Sequence, residues 1–356
     1  MYIESECRVV VKPTEILRLA ILSPIAWRTP PVSYGPWELF ASLLAEGLVA
    51  LGHDVTLFAT ADSLTRAKLR SSIPMGWSED SSIDAKVAEC THIASVFERA
   101  QEFDIIHNGF DFLPLTYSKL VSTPVVTTIH GFSSPDIVPV YERYNDNTSY
   151  VAISDADRNA KLTYAATIHH GIDVDALGPT VDRSDYLLFF GRIHPHKGTA
   201  EAIDVARRCG RRLIIAGLVQ DESYFRDEVE PHLDGHRVKY IGLVEARNRA
   251  AVLGGAYALL HLIDFEEPFG FSVIEAMACG TPVIAYRRGS MPELIDHRVT
   301  GFLATNADEA IHAVEQVGGI DREALRINTR IRFSSETMVA KYVEVYRRVL
   351  AENVLV

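Results

Sequence analysis

The sequence is poor in several things, and each shortage narrows the function. It has 4 cysteines in 356 residues. Cys7, Cys90, Cys209 and Cys279 are far apart, with no Cys-x-x-Cys. That spacing speaks against a disulfide framework and against a thiolate zinc site, and a reducing cytoplasm is the natural compartment. Positive charge is also short. Lys and Arg total 35 against 47 Asp and Glu, for a formal net charge of -12. Such a balance argues against a nucleic-acid partner and against adsorption to anionic lipid. No apolar run reaches the roughly 20 residues a membrane helix needs, so no membrane span is expected. Met1 to Lys12 mixes charges around no apolar core and reads as a short lead-in, not a signal peptide. No repeat at a solenoid period is visible.

What is present suits two globular domains. Hydrophobic residues make up 47% and charged residues 23%, an ordinary soluble balance for a chain of this length. Apolar runs alternate with helical patterns. Ile16 to Ser23 reads as a strand, Trp37 to Leu51 as a helix and Val55 to Ala59 as the next strand, a βαβ unit. Its first loop holds Trp27, Tyr34 and Gly35, with Trp37 at the helix start, but lacks Gly-x-Gly-x-x-Gly, which weakens a dinucleotide reading. Glu98 to Ala100 ends a helix. Asp104 to His107, Pro124 to Ile129 and Ser149 to Ser154 read as strands, and His107 and His130 fall at strand ends. A second series follows at Tyr186 to Phe190, Leu213 to Ala216, Val238 to Ile241 and Tyr257 to Ile263. Strand–helix alternation with short loops predicts doubly wound parallel sheets. Asp175 to Ser184 reads as a linker. The last helix, Glu336 to Leu350, is amphipathic.

The most informative stretch is Asp264 to Gly289. After a buried strand, a loop carries Glu266, Glu267, Pro268 and Phe269; Gly270 opens a helix through Phe271, Ser272 and Glu275; Gly280 ends it; and Val283 starts another strand. A helix start presents N–H groups without intrahelical partners and attracts phosphate. Glu267 and Glu275 bracket that point, and carboxylates there can accept hydrogen bonds from sugar hydroxyls. A nucleotide sugar fits this arrangement. The plainer alternative is a helix packed through Val273, Ile274 and Met277 with two solvated glutamates.

The Glu267-x7-Glu275 pattern within Glu-Glu-Pro-Phe-Gly-Phe-Ser-Val-Ile-Glu-Ala-Met-Ala-Cys-Gly-Thr-Pro resembles the hallmark of retaining glycosyltransferases of family GT4. The resemblance covers nearly the whole chain and is most specific from Tyr186 to Gly301. It implies the GT-B fold: two Rossmann-like doubly wound parallel-sheet domains facing across a cleft. Residues 1–170 would form the acceptor domain and 171–335 the nucleotide-sugar donor domain, with 336–356 crossing back to the first. Gly191-Arg192 and Lys197-Gly198 resemble the family's diphosphate clamp. Phe269, Gly270, Phe271 and Ser272 would seat the diphosphate. Glu267 would hold the donor sugar's hydroxyls and Glu275 those of the ribose. His130 matches the histidine that faces the sugar and the β-phosphate. Gly35 would approach the diphosphate, although Tyr34 stands where the family often has a second glycine. At the domain joint the family's Asn-Gly is His170-Gly171 here. Trp27, Tyr34 and His107 are candidate acceptor contacts.

The resulting expectation is a metal-independent retaining hexosyltransferase, using a UDP- or GDP-linked sugar, no cofactor, and a small-molecule or glycan acceptor with a free hydroxyl. Asp155-Ala-Asp157 invites a metal reading but suits a helix cap better. His194-Pro-His196 and His169-His170 lack further ligands at standard spacing. A nucleotide-sugar epimerase or phosphorylase on the same fold, and a non-catalytic nucleotide-sugar binder, are the alternatives. Oligomeric state, base, hexose and acceptor are left open.

Overall fold

The computed structural model describes residues 16–178, except 33 and 133, and residues 184–353. The lead-in, Cys7 and half of the expected linker lie outside the described residues. Parallel strands flanked by helices build two sheets. The first uses β1 Arg18–Leu22, β2 Asp54–Phe58, β3 Lys68–Arg70, β4 Ile105–Asn108, β5 Val125–Ile129, β6 Ser149–Ala152 and β7 Tyr164–Thr167. The second uses β8 Leu187–Phe190, β9 Leu213–Ala216, β10 Val238–Tyr240, β11 Ala258–His261, β12 Val283–Tyr286 and β13 Gly301–Ala304. Their orders are β3-β2-β1-β4-β5-β6-β7 and β10-β9-β8-β11-β12-β13.

The innermost strands β1, after Arg18, and β8 are apolar because helices cover both faces of a parallel sheet. Leu19, Ala20, Ile21 and Leu22 have no exposed surface, and neither do Leu187 and Leu188. In each sheet the first strand sits inside, with chain running outward on both sides: β1 lies between β2 and β4, and β8 between β9 and β11. That reversal opens a crevice at the carboxyl ends of the strands, where such sheets hold ligands.

Ser335–Asn353, the last helix, leaves the second sheet and packs on the first. Met338, Val339, Tyr342 and Tyr346 are buried with Leu19, Phe40 and Leu44. Two hydrogen bonds fix it there: Tyr342 Oη with Thr128 Oγ1 at 2.8 Å and Tyr346 Oη with His107 Nδ1 at 2.8 Å. The chain therefore passes twice between the lobes, and the two passages run side by side. Ile172 N–H donates to Phe333 O at 2.9 Å, and Ser335 N–H donates to Ile172 O at 3.0 Å.

One local expectation fails. No helix starts at Asp155-Ala-Asp157; the segment is a turn. The N–H groups of Asp155 and Ala156 donate to the Glu293 carboxylate at 2.9 and 2.8 Å. Ser154 Oγ accepts from Asp157 N–H at 3.1 Å and donates to Pro268 O at 2.7 Å. The donors that would have opened a helix are engaged by the other lobe.

Candidate active site

The strand β11, the loop after it and the Phe271–Ala278 helix form the centre. Gly270 takes φ 98° at the N-cap, and no side chain caps the helix start. The first amides are thus free of a competing side-chain acceptor, which suits an anion. Across the crevice, Lys197 ends a short 3₁₀ turn, Pro195–Lys197. Gly198 follows at φ 74°, and a Cβ there would strike the Leu262 carbonyl. Only glycine lets this turn press against the end of β11 and carry Lys197 inward.

Lys197 Nζ reaches Glu267 Oε2 at 2.5 Å, with side chains 17% and 13% exposed. His261 Nε2 lies 3.7 Å from the same oxygen. Burial pushes His261 down to about 4, with Glu267 opposing the shift and Lys197 adding to it. A neutral imidazole therefore backs the ion pair at neutral pH. Glu275 is buried and pairs with Arg249 Nη1 at 2.7 Å. Burial raises its carboxyl while Arg249 pulls it back. Arg192 donates through Nη1 to Gln220 Oε1 at 2.6 Å.

Two adjoining cavities meet at these groups. One, of about 340 Å³, is walled by Gly191, Arg192, Lys197, Arg249, Glu275 and the helix start at Gly270, Phe271 and Ser272. The other, of about 760 Å³, is walled chiefly by the first lobe, including Trp27, Trp37 and His130, and by Phe269. Tyr34, Gly35, Arg192, Glu267, Gly270 and Phe271 line both. A molecule in one cavity would meet a molecule in the other at this boundary.

An aromatic column spans the lobes here. Trp37 stacks on His130 with ring centres 5.3 Å apart, His130 on His170 at 5.2 Å, and His170 on Phe271 at 4.7 Å. Burial pushes His130 down to about 3, opposed by a hydrogen bond to the Gly109 backbone. His170 is held well below its ordinary value, again by burial first and then by its histidine neighbours.

Two expected contacts are not there. His107 has no exposed surface; its Nδ1 meets Tyr346 Oη, and its Nε2 meets Thr128 Oγ1 at 3.1 Å. It anchors the last helix and lines neither cavity, so it is no acceptor contact. Gly171 is likewise absent from both walls. Its N–H donates to Met338 Sδ at 3.0 Å, and a Cβ would lie 2.7 Å from Ser335 Cα. It is small so that the two passages between lobes can lie together. Three contributors escaped the sequence reading. His261 is one histidine in an apolar strand, and Arg249 looks like any helical arginine. His170 showed only as a departure from Asn-Gly and as half of a histidine pair too sparse for a metal.

Comparison with known proteins places this geometry. Residues 178–330 match the family model described as glycosyl transferases group 1. The phosphatidyl-myo-inositol mannosyltransferase of Mycobacterium leprae is 23% identical over 87% of this chain and 89% of its own length. The crystal structure of AviGT4, a glycosyltransferase involved in avilamycin A biosynthesis, superimposes with a TM-score of 0.68 at 25% identity, over 94% of this chain and 98% of that one. Anabaena HepE in complex with UDP-glucose gives 0.69 at 19% identity, over 93% and 100%. The chain is a glycosyltransferase with the GT-B fold. Its residues 178–330 are similar to the group 1, GT4-type family of these transferases. Among the described residues no helix is long and apolar enough to cross a membrane.

Proposed function

We propose that this chain moves a hexose from a nucleoside diphosphate sugar, UDP- or GDP-linked, to a hydroxyl acceptor, with retention of configuration and without a metal ion. The observation that carries the reading is the joint between the cavities: an uncapped helix start, Arg192 and the Lys197–Glu267 pair surround one point. As the sugar–phosphate bond breaks, negative charge grows on the β-phosphate and positive charge on the ring. Arg192, Lys197 and the amides near Gly270 answer the first, and Glu267 the second. Lys197 also holds Glu267 in place, so one cation serves both ends of the breaking bond. Glu275, held by its pair with Arg249, receives the ribose hydroxyls. The larger cavity takes the acceptor on the side of the leaving group, where the departing phosphate accepts the hydroxyl proton. Glu267 acts as a hydroxyl acceptor and electrostatic partner, not as a nucleophile.

HepE, whose crystals hold UDP-glucose, supports the donor class by likeness of fold. The test is nucleoside diphosphate release from UDP-glucose and from GDP-mannose, with and without polyol acceptors and with and without EDTA. Release that needs an acceptor and survives EDTA is expected. Failure to bind UDP or GDP sinks the donor reading, and loss of turnover in EDTA sinks metal independence. Conversion of the donor sugar without any acceptor would instead indicate an epimerase.

A further inference from the structure

The wall of the larger cavity says what sort of acceptor this chain takes, granted the transfer reading above. The first lobe lines it with three carboxylates, Glu38, Glu89 and Asp111. Among its described lining residues the first lobe brings no lysine or arginine; Arg192, from the second lobe, is the one such cation there, and it belongs to the smaller cavity as well. Glu38 is 3% exposed, and its Oε1 accepts the Trp27 N–H at 3.3 Å. Asp111 is held by the Leu113 N–H at 2.8 Å. Burial pushes Glu38 up to about 7 and Asp111 up to about 6, with Glu89 adding to the second. Burial also raises Glu89. Among the described residues these carboxylates lack a paired cation, and they face one space.

Two further features point to a ligand in that space. His170, 2% exposed, lines the same cavity, and its Nδ1 has no hydrogen-bond partner among the described residues. A buried ring nitrogen left so is costly unless something polar arrives. Trp27, Trp37, Trp77 and Phe110 supply aromatic faces around it. Such faces pack on the C–H face of a sugar ring and attract a nearby cation.

We propose that the acceptor is an aminated polyol, an amino sugar or aminocyclitol, whose protonated amine sits against Glu38, Glu89 and Asp111. A phosphorylated acceptor is refused, because its phosphate would enter among like charges. The ammonium supplies the missing cation, the aromatic rings hold the carbon skeleton, and the free hydroxyl is directed toward the joint at Glu267 and Arg192.

The test is calorimetric titration of D-glucosamine, D-glucose and D-glucose 6-phosphate, which share a ring and differ in charge. The protein is titrated free and loaded with UDP or GDP. Glucosamine should bind about tenfold tighter than glucose, one added charge-assisted contact, and glucose 6-phosphate should bind most weakly. Asp111→Asn should bring the glucosamine-to-glucose ratio toward one; Glu89→Gln, at a half-exposed position, serves if the first variant misfolds. Equal binding of glucosamine and glucose, tighter binding of the phosphate, or no binding of any of the three overturns the proposal. A protein that binds neither nucleotide fails the transfer reading instead, and the sugar ranking is still read on the free protein.

Discussion

Replacing Lys197 by methionine separates what the Lys197–Glu267 pair does for catalysis from what it does for folding. Methionine keeps most of the stem and removes the charge. Both side chains are under one-fifth exposed, yet they border the open crevice, so Glu267 keeps access to water when its partner goes. A fully buried pair broken on one side costs about 3–5 kcal/mol. With water at hand the stability loss here should be nearer 1–2 kcal/mol, a small shift in the urea midpoint. The catalytic loss is larger. Removing one preorganised donor to a developing charge costs about 3–4 kcal/mol, which slows turnover by roughly two to three orders of magnitude. The assay is nucleoside diphosphate release at saturating donor, alongside urea unfolding of the same preparations. Because Lys197 also fixes Glu267, the double variant Lys197→Met, Glu267→Gln should lose much less than the sum of the single losses. A folded Lys197→Met protein whose turnover stays within tenfold of the parent refutes the reasoning, since the cation would then not face the leaving group.

Other outcomes follow from the same contacts. Tyr346→Phe leaves His107 Nδ1 buried without its partner and should cost about 1–3 kcal/mol in urea; a change under about 0.5 kcal/mol would mean that the bond contributes little. Glu38 is raised by burial to about 7, so the folded state keeps its proton where the unfolded chain has lost it, and stability falls as pH climbs from the ordinary carboxylate range through 7. Glu38→Gln has no such loss, so its melting temperature relative to the parent should rise between pH 5 and pH 8; a constant difference would show that Glu38 titrates normally. Arg249→Met leaves Glu275 buried and unpaired, so UDP or GDP binding should weaken about tenfold or more; unchanged affinity would take Glu275 away from the ribose.

Much of the second lobe was legible because its chemistry is local. Gly270 and Gly280 bound one short helix, and Arg192 and Lys197 follow the apolar strand β8 within a few residues. Spacing alone puts such groups at a strand's carboxyl end. The edges of the sheets were harder. β3 carries Lys68 and Arg70 on a strand partly exposed at every residue, and β7 is a half-buried Tyr-Ala-Ala-Thr, so neither shows the run of large apolar residues that marks an innermost strand. Nor does periodicity reveal partners distant in the chain. His107 stands at a strand end as a ligand would, but its ring is taken by Tyr346, 239 positions on. Asp155 has the sequence of a helix cap, and Glu293 from the opposite lobe decides otherwise. Where an outcome hung on contacts between lobes, residue order could not supply it.

The helix laid across the first sheet also sets an order on biosynthesis. Leu19, Phe40 and Leu44 are translated early, yet Met338, Tyr342 and Tyr346, which cover them, emerge from the ribosome roughly three hundred residues later. Until then the nascent first half exposes an oily strip that nothing local can hide. A transcript cut short before residue 335 would leave that strip bare, and chaperone dependence should be heaviest in that interval.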